Sequence, residues 1–199
     1  MARVLAIKSS LLGSDGSSSQ LVDEFLSLWR NTHPEDKITE KNLAEDPVPH
    51  LDLNTFSAFM VAGDKRDAEQ NKATALSDEL TQQFLETDIV VLGVPMYNLG
   101  IPSVLKAYFD HIARAGLTFK YTEAGPVGLA GGKKVYLLSA RGGIYQDSAW
   151  DFQSTYIKGI LNFMGVTDIT SVYADGLAIS PDHKKAAMDQ ALQEVRDLV

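Results

Sequence analysis

Five strand-like runs, Val4–Ile7, Ile38–Leu43, Ile89–Val94, Val135–Ser139 and Ile169–Ala174, recur along the chain, each followed by a polar or glycine-rich turn and most by helical periodicity. Continuous apolar strands separated by helices must be covered on both faces, the condition of a parallel sheet joined by right-handed crossovers. The alternation predicts an α/β protein with a doubly wound five-stranded parallel sheet and helices on both faces. At 199 residues and 45% apolar composition, a single domain over residues 1–199 can bury its own core.

The helices are marked by their apolar stripes and punctuation. Leu21, Phe25, Leu28 and Trp29 share one face of the first, which Ser17 can cap with Gln20 reaching back in a capping box. Leu76, Leu80 and Phe84 mark another. Pro102 suits the first turn of a third, with Val104, Leu105, Tyr108, Phe109 and Ile112 buried and Gly116 as terminator. Residues 150–164 form a fourth, ended by Gly165, and Pro181 opens the last. The stretch from Asp46 to Asn71 is the least regular, readable as a solvated surface insertion or as a flap near a site.

Charge and composition exclude several functions. A net charge of −8 has the wrong sign for tracking nucleic acid or an anionic membrane. Without cysteine there are no disulfides, thiolate chemistry, Fe–S clusters or cysteine-zinc sites. The four histidines make neither a metal pattern nor a triad, so no metal is expected. Ile89–Tyr97, the most apolar stretch, is about half of a membrane span, and no secretory signal opens the sequence. A cytoplasmic protein is the simplest expectation.

In a doubly wound sheet ligands sit beyond the carboxyl ends of the strands, so the loops after strands one, three and four are read together. The first, from Ser10 through Gly13, Ser14, Gly16, Ser17, Ser18 and Ser19, offers neutral donors suited to a phosphate monoester, or it simply turns the chain. The second, Pro95-Met96-Tyr97-Asn98-Leu99-Gly100, offers a flat wall for a planar heterocycle with Asn98 as polar handle, unless Met96 and Tyr97 are ordinary core. The third, Ala140-Arg141-Gly142-Gly143, lets backbone N–H groups approach a negatively charged ring edge. Arg141 either faces solvent or anchors the loop on carbonyls or carboxylates. Tyr108, Phe109, Phe119, Tyr145 and Phe163 are either core or part of an apolar face completed by a second subunit.

These residues, with Lys8-Ser9-Ser10, Gln20-Leu21, the run from Ala113 to Phe119, Tyr121-Thr122-Glu123, Gly125-Pro126 and Gly128-Leu129, give a chain that resembles the bacterial FMN-dependent NADH-azoreductases. That family is flavodoxin-like and dimeric, and is also described as NADH:quinone reductases. The resemblance implies bound FMN, NADH or NADPH as donor, azo compounds and quinones as acceptors, ping-pong hydride transfer, and a homodimer. It also implies that Ser10 and Gly16–Ser18 hold the phosphate, Met96–Leu99 the isoalloxazine, and Ala140–Gly143 its pyrimidine side. Asn98, Tyr121 and Phe163 are then substrate-pocket residues. Gly16 and Ala140 stand where the family often has serine, Leu99 where phenylalanine is common, and Met60 where some relatives carry arginine. A flavodoxin-type FMN electron carrier serving redox proteins is the alternative; a phosphate-receiver domain is disfavoured because the clustered aspartates it needs are replaced by serines and Pro95–Asn98.

Overall fold

A computed structural model describes residues 1–199. In chain order the elements are β1 (Arg3–Lys8), α1 (Ser17–Thr32), β2 (Lys37–Asn42), α2 (Leu53–Phe59), α3 (Ala68–Glu86), β3 (Ile89–Pro95), α4 (Ser103–Ile112), β4 (Phe119–Thr122), β5 (Gly125–Gly128), β6 (Lys134–Ala140), α5 (Phe152–Phe163), β7 (Asp168–Ala174) and α6 (Pro181–Leu198). Single 3-10 turns occupy Gly13–Asp15 and Gly63–Lys65. The main sheet has the order β2-β1-β3-β6-β7 with every pair parallel. β2 lies on one side of β1 and β3 on the other, so the winding reverses between β1 and β3 and opens a crevice there.

Alternate strand residues feed two cores, as the period of two requires. Leu5, Ile7, Leu92 and Leu137 pack beneath α3, α4 and α5, while Val4, Ala6, Val91 and Leu138 pack beneath α1 and α6. α1 closes tightly on the sheet because β3 carries Gly93. A Cβ there would stand 2.7 Å from Val22 Cγ2 and 3.0 Å from the Ser18 carbonyl oxygen. β4 and β5 form a separate antiparallel hairpin that abuts the end of α5. Gly128 meets Gly165 so closely that a Cβ on Gly128 would fall 2.0 Å from the Gly165 nitrogen.

Several local expectations are corrected. Gly16, not Ser17, is the N-cap of α1; no side chain caps the helix, and the Gln20 amide donates to the Asp15 carbonyl at 3.3 Å instead of closing a capping box. Val22 and Leu26 join Leu21, Phe25 and Trp29 in the buried stripe, with Leu28 half-buried. Leu76 is exposed because Thr74, Ser77 and Thr81 take the buried face of α3, where the Ser77 and Thr81 hydroxyls donate to the His111 carbonyl. Pro102 is the N-cap of α4, which ends before Ala113, three residues short of Gly116. The Thr118 hydroxyl donates to the Ile112 carbonyl at 2.7 Å and closes that helix, leaving Gly116, at φ +82°, in the turn into β4.

The irregular stretch contains α2 and the capped start of α3, with Asp52 and Asp67 as side-chain caps, so it is partly helical rather than a loose insertion. Tyr108, Phe109 and Phe119 are buried within the chain, which removes them from any apolar surface; Tyr145 and Phe163 are half-buried. The exposed aromatics are Phe56, Tyr121, Trp150 and Phe152.

Candidate active site

Three loops converge on the crevice because their strands are neighbours: β1 pairs with β3, and β3 with β6 up to Pro95 and Ala140. Further bonds lock them. The Met96 N–H donates to the Ala140 carbonyl at 3.0 Å. The Tyr97 hydroxyl accepts the Leu11 N–H at 3.1 Å and lies 3.4 Å from the Ser10 hydroxyl, which itself accepts the Leu12 N–H at 3.2 Å. Ser10 is thus a clamp within its loop.

The first loop delivers the N-terminus of α1. The N–H groups of Ser17, Ser18 and Ser19 have no protein acceptor, as expected for a helix start whose cap is a glycine. The Ser18 and Ser19 hydroxyls are buried without a partner. Gly16 is packed so that a Cβ would come within 2.2 Å of the Ser10 hydroxyl, leaving the turn bare backbone. Lys8 does not contribute: its ammonium is paired with Asp23 and, at 3.5 Å, with Glu40. The seat is neutral hydrogen-bond donors at the positive end of a 16-residue helix, a donor set matched to a phosphate group.

The second loop is a tight turn in which Tyr97 and Gly100 exchange backbone hydrogen bonds at 3.1 and 3.0 Å. Its central residues, Asn98 and Leu99, have φ of +50° and +65°. Such a turn ordinarily takes Asn-Gly, and a leucine held there carries backbone strain of the kind that clusters at functional sites. The N–H groups of Asn98 and Leu99 and the Asn98 amide make no bond to the protein and remain available at the crevice. Beside this turn is a cleft of about 940 Å³, walled by Leu11, Met96, Tyr97, Ile101, Phe152 and Tyr156. Burial and the nearby Asp110 push the Tyr156 phenol up to about 12, so it stays protonated.

The third loop turns its donors outward. The N–H groups of Gly142 and Gly143 have no protein acceptor. Of the two readings of the Arg141 side chain, solvent-facing or loop anchor, the structure shows the anchor. Its guanidinium has no exposed surface, grips Asp175 at 2.5 and 2.9 Å and Asp151 at 2.9 Å, and lies over the Tyr173 ring at 4.2 Å. Asp151 and Asp175 are site residues that the sequence did not mark, since nothing in their spacing pairs them with Arg141. Gln153, buried on α5 with its amide 3.4 Å from the Val94 carbonyl and its own oxygen unpartnered, is another.

Tyr121 and Phe163 lie elsewhere. They flank Phe119, with ring centroids 5.4 and 4.3 Å from it, on the hairpin and at the far end of α5. Phe152 borders the cleft at the start of α5, and the helical rise puts Phe163 about 16 Å further along the axis. Within one chain these two aromatics do not reach the crevice that holds Asn98.

Comparisons with known proteins identify the family of the fold. A family described as having a flavodoxin-like fold matches residues 2–199. An FMN-dependent NADH:quinone oxidoreductase from Cellvibrio japonicus is 48% identical over 195 residues, 98% of this chain and 97% of that one. An FMN-dependent NADH:quinone oxidoreductase 2 from Pseudomonas fluorescens is 44% identical over 191 residues, 96% of each chain. A solved azoreductase from Bacillus anthracis superposes with a TM-score of 0.92 at 35% identity, covering 100% of this chain and 98% of its own. An FMN-dependent NADH-azoreductase from the same species, in complex with FMN, gives 0.87 at 31% identity, covering 100% of this chain and 99% of its own.

Proposed function

Because the chain belongs to the flavodoxin-like family of FMN-dependent NADH:quinone oxidoreductases and azoreductases, we propose that its three crevice loops bind one FMN and that it reduces quinones and azo compounds at the expense of NADH or NADPH. The carrying observation is that unpartnered donors follow three adjacent parallel strands at the same edge of the sheet: the N–H groups of Ser17–Ser19, of Asn98 and Leu99, and of Gly142 and Gly143. Bound FMN would supply the redox chemistry, two-electron transfer between a pyridine nucleotide and the acceptor.

The protein's part is to bind and orient. The start of α1, with Gly16, Ser17 and Ser18, receives the phosphate through neutral donors and the helix dipole. Met96 and Tyr97 in the cleft wall, with the neighbouring Leu99, would hold the ring, and Asn98 would offer it a donor and an acceptor. Ala140 contributes through its carbonyl, which fixes Met96; Gly142 and Gly143 would offer their free N–H dipoles to the negative charge that reduction adds. Successive use of the same cleft by donor and acceptor would make the reaction ping-pong. A single FMN-binding domain spans residues 1–199.

The remote position of Tyr121, 74% exposed, and Phe163 supports an isologous homodimer in which each subunit's hairpin aromatics border the partner subunit's crevice. No helix is long and apolar enough to cross a membrane, and dependence on the pyridine nucleotide pool favours the cytoplasm. Reconstitution with FMN tests the whole reading. The expected result is a yellow protein that bleaches with NADH or NADPH under anaerobic conditions and recovers colour with a quinone. A protein that takes up no FMN refutes it, and a flavin reduced only by a partner reductase makes the chain an electron carrier.

A further inference from the structure

The loop after β6 carries more apparatus than a turn needs. Three successive carbonyls, those of Arg141, Gly142 and Gly143, accept the N–H groups of Leu177, Ala178 and Gly176 at 3.0, 3.0 and 2.9 Å. In a trans peptide the carbonyl and the following N–H point in opposite directions, and no peptide here is cis. Pinning those three oxygens against the loop after β7 therefore drives the N–H groups of Gly142, Gly143 and Ile144 the other way, and none of the three has a protein acceptor. The next two amides are turned inward: Tyr145 and Gln146 donate to Asp175 at 2.8 and 3.1 Å.

Behind this ribbon sits a single ionic cluster. Arg141 holds Asp175 in a two-pronged grip, so one carboxylate fixes both the β6 loop and the β7 loop that pins it. The other guanidinium arm holds Asp151, whose second oxygen accepts the Ser154 N–H and caps α5. Two carboxylates face one guanidinium, and the surplus negative charge is met by backbone amides and the helix N-terminus.

We propose that Arg141, Asp151 and Asp175 are positioning residues that hold the Gly142–Ile144 amides as an outward row of donors and thereby raise the reduction potential of the bound flavin. The proposal rests on FMN occupying this crevice. Reduced flavin carries more negative charge than oxidised flavin, so donors held rigidly toward the ring stabilise the reduced form more. A loosened row loses part of that preference.

Asp175→Asn tests this in two measurements. In the FMN-loaded protein, the dissociation constant of reduced FMN is expected to rise about tenfold more than that of oxidised FMN, a fall in potential of about 30 mV for the two-electron couple. The sign discriminates: deleting a negative charge acts electrostatically to raise the potential, so a rise overturns the proposal, as does equal weakening of both forms, the mark of a merely structural role. In the apo protein, hydrogen exchange at the Gly176, Leu177 and Ala178 amides is expected to speed up at least tenfold, and unchanged exchange refutes the pinning. Should Asp175→Asn not fold, Asp151→Asn keeps the two-pronged pair and is expected to shift the ratio about threefold in the same direction, with an unchanged ratio overturning the idea. Failure of the wild type to bind FMN instead defeats the cofactor reading, which separates the two.

Discussion

The phenol oxygen of Tyr97 stands 3.4 Å from the hydroxyl of Ser10, joining loops 87 residues apart in the chain, and also takes the Leu11 N–H at 3.1 Å. One aromatic side chain therefore sets the spacing between the phosphate seat and the ring wall. Tyr97→Phe keeps the wall and removes the tie. It is expected to cost about 1 kcal/mol of apo stability in urea unfolding, and to raise the FMN dissociation constant roughly fivefold by calorimetry.

Leu99 occupies a backbone conformation that costs a non-glycine residue on the order of 1 kcal/mol. Leu99→Gly is expected to stabilise the apo protein by up to about that amount while weakening FMN binding, because the turn is then free to leave the conformation that bares its amides. Denaturant midpoints and flavin titration read the two opposed effects, and a loss of apo stability contradicts the strain argument.

Backbone contact between Gly128 and Gly165 leaves no room for a methyl group. Gly128→Ala is expected to displace the hairpin and lower stability by about 1–3 kcal/mol. The crevice is at the other end of α5, so FMN affinity should stay within about twofold of wild type, whereas on the proposal that Tyr121 borders a partner subunit's crevice quinone reduction should fall.

His111 is buried at the end of α4, with Nε2 3.1 Å from the Pro49 carbonyl oxygen and Nδ1 unpartnered. Burial holds its pKa below the usual imidazole value, outweighing the Pro49 bond and Asp110, which act upward. Above about pH 6.5 both folded and unfolded forms are neutral at this site and stability is flat. As pH falls below that value the unfolded chain takes the proton first, so stability drops, by no more than about 1.4 kcal/mol per pH unit. His111→Gln should remove this component when unfolding is compared at about pH 5.5 and 7.5.

Separation of Phe163 from its own crevice makes subunit mixing informative. On the homodimer proposal, Ser18→Asp puts a carboxylate in the proposed phosphate seat and Phe163→Ala truncates the proposed pocket wall, so each variant alone should be nearly inactive. Refolded together at equal amounts, random pairing leaves about a quarter of the sites intact, and activity should return to about that fraction of wild type. No recovery argues against sites shared between subunits.

The sheet was legible because strand residues feeding two cores leave a continuous apolar signal that local sequence carries without help. Helix ends were less so. The arrest of α4 depends on Thr118 reaching back to Ile112, and the exposure of Leu76 depends on hydroxyls that seek a carbonyl of another helix. For a related reason local sequence leaves Tyr108 and Phe109 open between core and interface; the fold buries both in the core beneath α4. The crevice loops could be read from their glycines and serines, whereas the anchor of the third loop could not, since Asp175 lies 34 residues from Arg141 and meets it only through the pairing of β6 with β7.

The strands β4 and β5 pair only with each other and borrow no hydrogen-bonding edge from the large sheet. Natural selection can therefore lengthen, shorten or re-decorate this ribbon to suit new oxidants without shifting any strand register in the scaffold. The appended flap and the frame beneath it are thus free to diverge independently.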